Sequence, residues 1–231
     1  MNIKIIDLYR LKDIELLKKV YEEIYFPNFS YLEDECELLE DFIDRVIFEK
    51  VENPKTHFFV ALSNDEVAGF LIAEYYNVSN SCLLTYSAIS DKFKGRGIFK
   101  LLLEASKELC EKINCNSIFA EAHNPLLVDA DKEPIDPFKR LQIFSSCGFY
   151  IVPVDYVQPP LFIGGRKCSD LLFLTLTPNI KHSDVINFYK EFYEVLTEQN
   201  ADDKEVFNKI KTQIDKSYYV KFNMPIINLD S

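Results

Sequence analysis

No apolar run in this 231-residue chain approaches the roughly 18 residues of a membrane-spanning helix, so no span is expected. The start, Met1-Asn2-Ile3-Lys4-Ile5-Ile6-Asp7, has no long apolar core of the secretory kind, and no signal peptide is expected. The six cysteines (Cys36, Cys82, Cys110, Cys115, Cys147, Cys168) form no C-x-x-C pair and no ligand spacing with histidine. Metal binding is therefore not expected, and reduced thiols are. Positive charge is scarce: 26 Lys and Arg stand against 37 Asp and Glu, a net charge of −11. That balance argues against a nucleic-acid surface and mildly favours a cationic substrate. No repeat or low-complexity tract stands out. With 48% hydrophobic residues the chain can bury a sizeable core. These features describe a cytoplasmic globular protein.

One stretch organises the rest: Lys94-Gly95-Arg96-Gly97-Ile98-Phe99-Lys100-Leu101-Leu102-Leu103. It follows an apolar run, Cys82 to Ile89, that reads as a strand, and it opens an amphipathic run, Ile98 to Ile113, that reads as a helix. A glycine turn at a helix N-terminus gathers unpaired N–H groups and the positive end of the helix dipole, which favours an anion such as phosphate. Lys92, Lys94 and Arg96 add charge there. A purely structural turn is the competing reading.

From the start, Ile3–Ile6 reads as a strand. Leu11–Tyr25 has helical spacing, with Pro27 ending it. Leu32 to Lys50 reads as a second helix, with Glu33, Asp34 and Glu35 in its first turn. Thr56–Ser63, Val67–Tyr76 and Cys82–Ile89 are three strands joined by short polar turns, with a bulge expected at Gly69. Such a series is an antiparallel meander. A dinucleotide fold needs a parallel strand before its glycine turn and an acid after the second strand, and neither is present. Asn116–His123 is a further strand, Phe138–Cys147 a helix stopped by Gly148, and Tyr150–Val157 extended. After a loop containing Pro159, Pro160, Gly164 and Gly165, Cys168–Leu176 reads as a strand buried on both faces. Pro178-Asn179 marks a boundary. Beyond it come a helix capped by Ser183, a helix over Asp203–Lys216, and an extended tail, Tyr218–Leu229.

This order of elements resembles the GNAT superfamily of acetyl-coenzyme-A-dependent N-acetyltransferases. The family fingerprint, Gln/Arg-x-x-Gly-x-Gly/Ala, falls on Lys94, Gly97 and Phe99. A second signature, an aromatic, three residues and Gly-Phe, is matched by Phe144-Ser145-Ser146-Cys147-Gly148-Phe149. Tyr156-Val157-Gln158-Pro159-Pro160-Leu161 is similar to a motif of one branch of the superfamily. Lys94 keeps the charge of the usual Arg, whereas Phe99 stands where a small residue is usual. Phe144 replaces the tyrosine that in many members protonates the departing thiolate.

The resemblance covers roughly residues 1–177. It implies an α/β (α+β) fold with a central mixed, mostly antiparallel sheet flanked by helices. Residues 178–231 are expected to be a small helical extension, packed on that domain or on a second subunit as a homodimer. The implied activity is transfer of an acetyl group from acetyl-CoA to a primary amine, here of a small molecule, by direct attack. The alternative is an acyl-CoA-binding module without turnover. The amides of Gly95, Arg96, Gly97, Ile98 and Phe99, with Lys94, would cradle the coenzyme A pyrophosphate. Ser87, Ala88 and Ile89 would pair with the pantetheine and supply the oxyanion donor. Glu121 and His123, at i and i+2 on one strand face, and Tyr156 are the catalytic candidates. Glu74, Tyr86, Asp136 and Gln158 are expected to border the acceptor cleft.

Overall fold

The computed structural model describes residues 2–161, 165–177, 180–197 and 201–216. Gly164, the Pro178-Asn179 boundary and the Tyr218–Leu229 tail lie outside the described residues. The chain divides into two compact units, Met1–Asn116 and Ser117–Ser231.

In the first unit four strands pair in sequence order, all antiparallel: β1 (Ile3–Asp7), β2 (Lys55–Ser63), β3 (Glu66–Tyr76) and β4 (Ser81–Ile89). The expected meander is present. Asn64 and Asp65, both at positive φ (50° and 64°), close the β2–β3 hairpin in the sense that matches strand twist. The extra residue of the β2–β3 register is Ala68, because Ala61 faces Gly69 while Leu62 faces Val67. The bulge therefore falls beside Gly69.

The helical segments are α1 (Leu8–Leu11), α2 (Ile14–Val20), α3 (Phe26–Phe29), α4 (Leu39–Phe42) and α5 (Ile98–Lys112). Two π turns, Tyr21–Tyr25 and Ile43–Ile47, continue α2 and α4. The helix expected from Leu11 starts instead at Ile14. Lys12 adopts a left-handed conformation (φ 57°), and the Asp13 carboxylate caps the new helix by accepting the Leu16 N–H at 2.9 Å. Nor does Pro27 end it. The π turn before Pro27 bonds Phe26 N–H back to the Tyr21 carbonyl, and Asn28 Nδ2 donates to the Ile24 carbonyl at 2.7 Å. A side chain thus supplies a donor in the turn where the proline cannot.

The helix expected over Leu32–Lys50 is also interrupted. Ser30–Glu35 is a 3₁₀ segment, and Leu38 is extended (ψ 154°). The helix restarts at Leu39, where Asp41 accepts the Leu38 N–H at 3.3 Å. Its first-turn acids are Glu40 and Asp41, not Glu33 to Glu35. The apolar faces of α2, α4 and the strands meet in one core around Leu17, Tyr25, Phe42, Phe58 and Phe70. Tyr25 is its hub, with ring centroids 4.9 Å from Phe42 and 5.3 Å from Tyr86.

In the second unit β5 (Ser117–His123) and β6 (Tyr150–Ile151) both pair antiparallel with β7 (Leu171–Thr175), which lies between them. The strand expected from Tyr150 to Val157 stops after two residues. Pro153 has no N–H for a ladder, and Val154 and Tyr156 donate to carbonyls two residues back, at Val152 and Val154. Helix α6 (Pro137–Ser146) starts at Asp136, whose carboxylate accepts the Lys139 N–H at 2.9 Å. Gly148 (φ 91°) terminates it. Helix α7 (His182–Leu196) begins after Lys181 rather than Ser183, whose hydroxyl turns to Asp184 instead. Phe188 of α7 stacks on Phe119 at 4.5 Å, and the Tyr189 and Tyr193 hydroxyls both donate to the Val157 carbonyl. Helix α8 (Ala201–Lys216) follows. Among the described residues no helix is long and apolar enough to cross a membrane.

Candidate active site

The glycine turn has the backbone that its residues suggest. Gly95 and Gly97 lie at φ 73° and 77°, the left-handed region that disfavours a side chain, and a Cβ on either would meet nothing within 4 Å. Glycine is needed here for conformation rather than for room. Gly97 is the N-cap of the fifteen-residue α5, and no side chain caps that end. The first-turn amides of α5 therefore point their partial positive charge out of the turn. Lys94 pairs with Asp91 at 2.5 Å, Lys92 pairs with Glu66, and the Arg96 guanidinium lies 5.6 Å from the Phe93 ring centre. Phe99 is half-buried.

Strand β4 carries a bulge just before the residues predicted to bind a thioester. Leu71 faces Ser87 while Ala73 faces Leu84, so two β4 residues, Thr85 and Tyr86, oppose Ile72 alone. Such a bulge bends the strand and disrupts its ladder locally. Ser87, Ala88 and Ile89 beyond it are half-buried. Their backbone is held against β3 by an approach so close that a Cβ on Gly69 would lie 2.8 Å from the Ala88 carbonyl oxygen.

A second polar assembly of the first unit centres on Glu37. Arg45 Nη2 donates to the Glu37 carboxylate, and its Nη1 donates to Glu74 Oε1 at 2.9 Å. The Tyr76 hydroxyl donates to the other Glu74 oxygen at 3.2 Å. The π turn Tyr21–Tyr25 supplies the remaining contacts. Tyr21 donates to the Glu37 carbonyl at 3.0 Å, and the Tyr25 hydroxyl accepts the Glu37 N–H at 3.0 Å. The Tyr86 hydroxyl hydrogen-bonds with the Glu37 side chain and also with Tyr25. Burial raises the Glu37 pKa from 4.5 to about 7, against the opposing pull of Arg45 and with support from Glu74 and Asp41. Burial and the Glu37 charge push Tyr86 well above its ordinary value, so its hydroxyl stays protonated.

In the second unit the predicted residues form two groups. Glu121 accepts a hydrogen bond from the Tyr156 hydroxyl on one oxygen and from Gln158 Nε2, at 2.9 Å, on the other. Tyr156 is buried, stacked on Phe173 with centroids 4.8 Å apart, and burial beside Glu121 raises its pKa strongly. His123 lies in a separate group, with Nδ1 2.8 Å from Glu133 Oε1, and Arg140 reaches the same carboxylate at 3.1 Å. Phe144 packs edge-on against Phe149 at 5.0 Å. Asp136 serves as a helix cap.

Sequence reasoning missed Glu37 and Arg45. Glu37 hides in the acidic run Glu33-Asp34-Glu35-Cys36-Glu37, which reads as solvated. Arg45 did leave a signal, because it is the sole Lys or Arg between Lys19 and Lys50. It also falls three and seven residues after Phe42 and Leu38, on the apolar stripe.

Residues 17–130 match the family model described as acetyltransferase (GNAT) family. This chain carries a GNAT-family domain. No curated protein sequence matches it. Among solved structures, this chain is similar to the PaiA N-acetyltransferase of Thermoplasma acidophilum in complex with coenzyme A, at 14% identity and TM-score 0.55. That match covers 77% of this chain and 100% of the other. A GNAT-family protein of Bacteroides thetaiotaomicron matches at 18% identity and TM-score 0.55, over 84% and 98% of the two chains. An acetyltransferase of Bacillus subtilis in complex with CoA matches at 16% identity and TM-score 0.51, over 77% and 99%. At these identities the shared property is the fold.

Proposed function

We propose that this GNAT-family protein is a cytoplasmic N-acetyltransferase that moves an acetyl group from acetyl-CoA to the primary amine of a small molecule by direct attack. The observation that carries this reading is the pairing, within one unit, of the bulged end of β4 with the uncapped N-terminus of α5. Extended backbone beyond a bulge leaves amides free to pair with a pantetheine and to receive a developing oxyanion. The amides of Gly95 to Phe99 receive the pyrophosphate, each charge–dipole contact contributing about 0.3–1 kcal/mol, or up to about 2 when partly buried. Coenzyme A in complexes of similar folds supports this choice of ligand. On the acceptor side, Glu121, oriented by Tyr156, and His123 are proposed to bind and orient the amine. Glu121→Gln is then expected to slow turnover while leaving acetyl-CoA affinity intact, and equal activity would remove Glu121 from the reaction.

Calorimetric titration with acetyl-CoA, followed by thiol release with a panel of amines, tests the reading. The expected result is saturable binding and amine-dependent release of CoA; no binding at millimolar ligand would sink it. Gly97→Val should weaken acetyl-CoA binding by about tenfold or more, since a β-branched residue in a left-handed conformation costs about 1–3 kcal/mol. Unchanged affinity in that variant would place the pyrophosphate elsewhere. A second reading, an acyl-CoA sensor without turnover, is favoured by Phe144, which has no hydroxyl to protonate a thiolate. Binding without release of thiol would establish it.

A further inference from the structure

Direct attack requires a neutral amine. A lysine-like ammonium has a pKa near ~10.4, so at neutral pH the free amine costs roughly 4–5 kcal/mol. A carboxylate that takes the proton must be partly exposed, aimed toward the thioester strand and close to neutrality in its own pKa. In the first unit Glu37 meets these conditions, and no site residue predicted from the sequence lies in its assembly except Glu74 and Tyr86.

Hydrogen bonds close a ring around Glu37. The ionised carboxylate can only accept, so the Tyr86 hydroxyl donates to it. The Tyr86 hydroxyl also hydrogen-bonds with the Tyr25 hydroxyl. Tyr25 in turn accepts the Glu37 N–H. The ring Glu37 N–H, Tyr25, Tyr86, Glu37 carboxylate holds the acid in one orientation and ties it to β4. Tyr86 sits in the β4 bulge and immediately precedes Ser87, the first residue of the proposed pantetheine edge. Arg45 and Glu74 complete the surroundings, with Asp41, Tyr21 and Cys36 the other titratable groups that face the site. The Glu37 side chain is still 27% exposed, so a ligand can reach it. Among the described residues, both π turns, through Tyr21 and Tyr25 and through Arg45, serve this one residue, which gives those irregular turns a purpose.

We propose that Glu37 is the general base of the acetyl transfer, held by Arg45 and oriented toward the thioester by Tyr86. This role rests on the acetyltransferase reading above. In the first step the N–H bond of the ammonium breaks, its proton forms an O–H bond on Glu37, and the nitrogen keeps the electron pair. That pair then attacks the thioester carbonyl carbon. The C–N bond forms and the C–S bond breaks as the tetrahedral intermediate collapses. The thiolate leaves with the bonding pair and takes the second nitrogen proton, and Glu37 returns its own proton to solvent. Tyr86 is a positioning residue, since it acts on Glu37 and not on the substrate.

The experiment is the pH dependence of kcat/KM for an alkyl amine, measured in the wild type, Glu37→Gln and Tyr86→Phe, with acetyl-CoA titration of each as a folding control. The wild type should show an acid limb near pH 7, the value to which Glu37 is raised. Glu37→Gln should bind acetyl-CoA normally, lose about a hundredfold or more in kcat/KM, and lose that limb. Its remaining activity should climb with pH toward the pKa of the amine. Tyr86→Phe removes a donor that favours the ionised carboxylate, so the limb should survive and move to higher pH; a merely structural role for Tyr86 would leave it in place. An active wild type whose Glu37→Gln variant keeps both rate and limb overturns the role of Glu37 alone. A wild type that binds acetyl-CoA and releases no thiol with any amine overturns the acetyltransferase reading, and this role with it.

Discussion

Arg45→Met will lose about 3 kcal/mol of stability at pH 8, measured by urea denaturation, and visibly less at pH 5. The guanidinium bridges Glu37 and Glu74, whose side chains are 27% and 9% exposed, and is itself 17% exposed. Removing one partner of a buried ion pair leaves charge uncompensated, at about 3–5 kcal/mol, and the partial exposure of Glu37 argues for the lower end. Here two carboxylates are left facing each other, and methionine restores the lost volume without the charge. The pH dependence follows from Glu37. Its folded pKa of about 7 lies above the unfolded 4.5, so between those values the native state holds a proton that the unfolded chain has released. Stability from this group is full below pH 4.5 and falls as pH rises through about 7. Without Arg45 the folded pKa moves higher still, so acid relieves the variant by neutralising the carboxylate. Adding Glu37→Gln should recover part of the loss at pH 8. A deficit independent of pH would mean that Arg45 contributes packing alone.

Gly69→Ala is the second large effect, and it joins stability to the site. A Cβ there would stand 2.6 Å from Ile89 Cδ1, 2.8 Å from the Ala88 carbonyl oxygen and 3.3 Å from Ile89 Cα. The Ile89 side chain can turn away, but the Ala88 carbonyl belongs to a strand paired with β3 at Phe70. The β4 end must therefore shift, and overpacking of this kind costs about 1–3 kcal/mol. Because Ser87 to Ile89 are the proposed pantetheine edge, the same shift should weaken acetyl-CoA binding by about tenfold, the equivalent of about 1.4 kcal/mol. Adding Ile89→Val removes the side-chain contact and should return some stability but not the affinity, since the carbonyl contact stays. Normal affinity in a destabilised Gly69→Ala protein would separate the β4 end from the ligand.

The strands were legible because short apolar runs and the polar turns between them agree, and β1 to β5 fall close to the expected residues. The glycine turn was legible for a related reason: Gly95 and Gly97 leave few alternatives to a left-handed turn before α5. Helical boundaries in the first fifty residues were not. Local caps decided them, with Asp13 and Asp41 restarting helices inside continuous apolar stripes. Two π turns shifted the register, and no apolar pattern announces an inserted residue. Pro27 misled because a π turn and the Asn28 side chain accommodate it. Tyr150–Val157 looked extended since alternation cannot register the missing N–H of Pro153 as the end of a ladder. At the candidate site the backbone geometry was legible and the side-chain pairings were not. Glu121, Tyr156 and Gln158, named separately from the sequence, are hydrogen-bonded in one group, while His123 turns to Glu133 and Arg140. Glu37 escaped notice because its distinction is burial beside Arg45, Tyr25 and Tyr86, residues brought to it by non-local pairing.

The reaction itself is open to one direct measurement. Purified protein is mixed with acetyl-CoA and a panel of small-molecule amines at pH 8, and released thiol is followed while the amines are examined by mass spectrometry. The account predicts saturable, amine-dependent release of CoA matched one for one by N-acetylated product. Release of thiol at the same slow rate with and without amine, and no acetylated amine in the mixture, would contradict it.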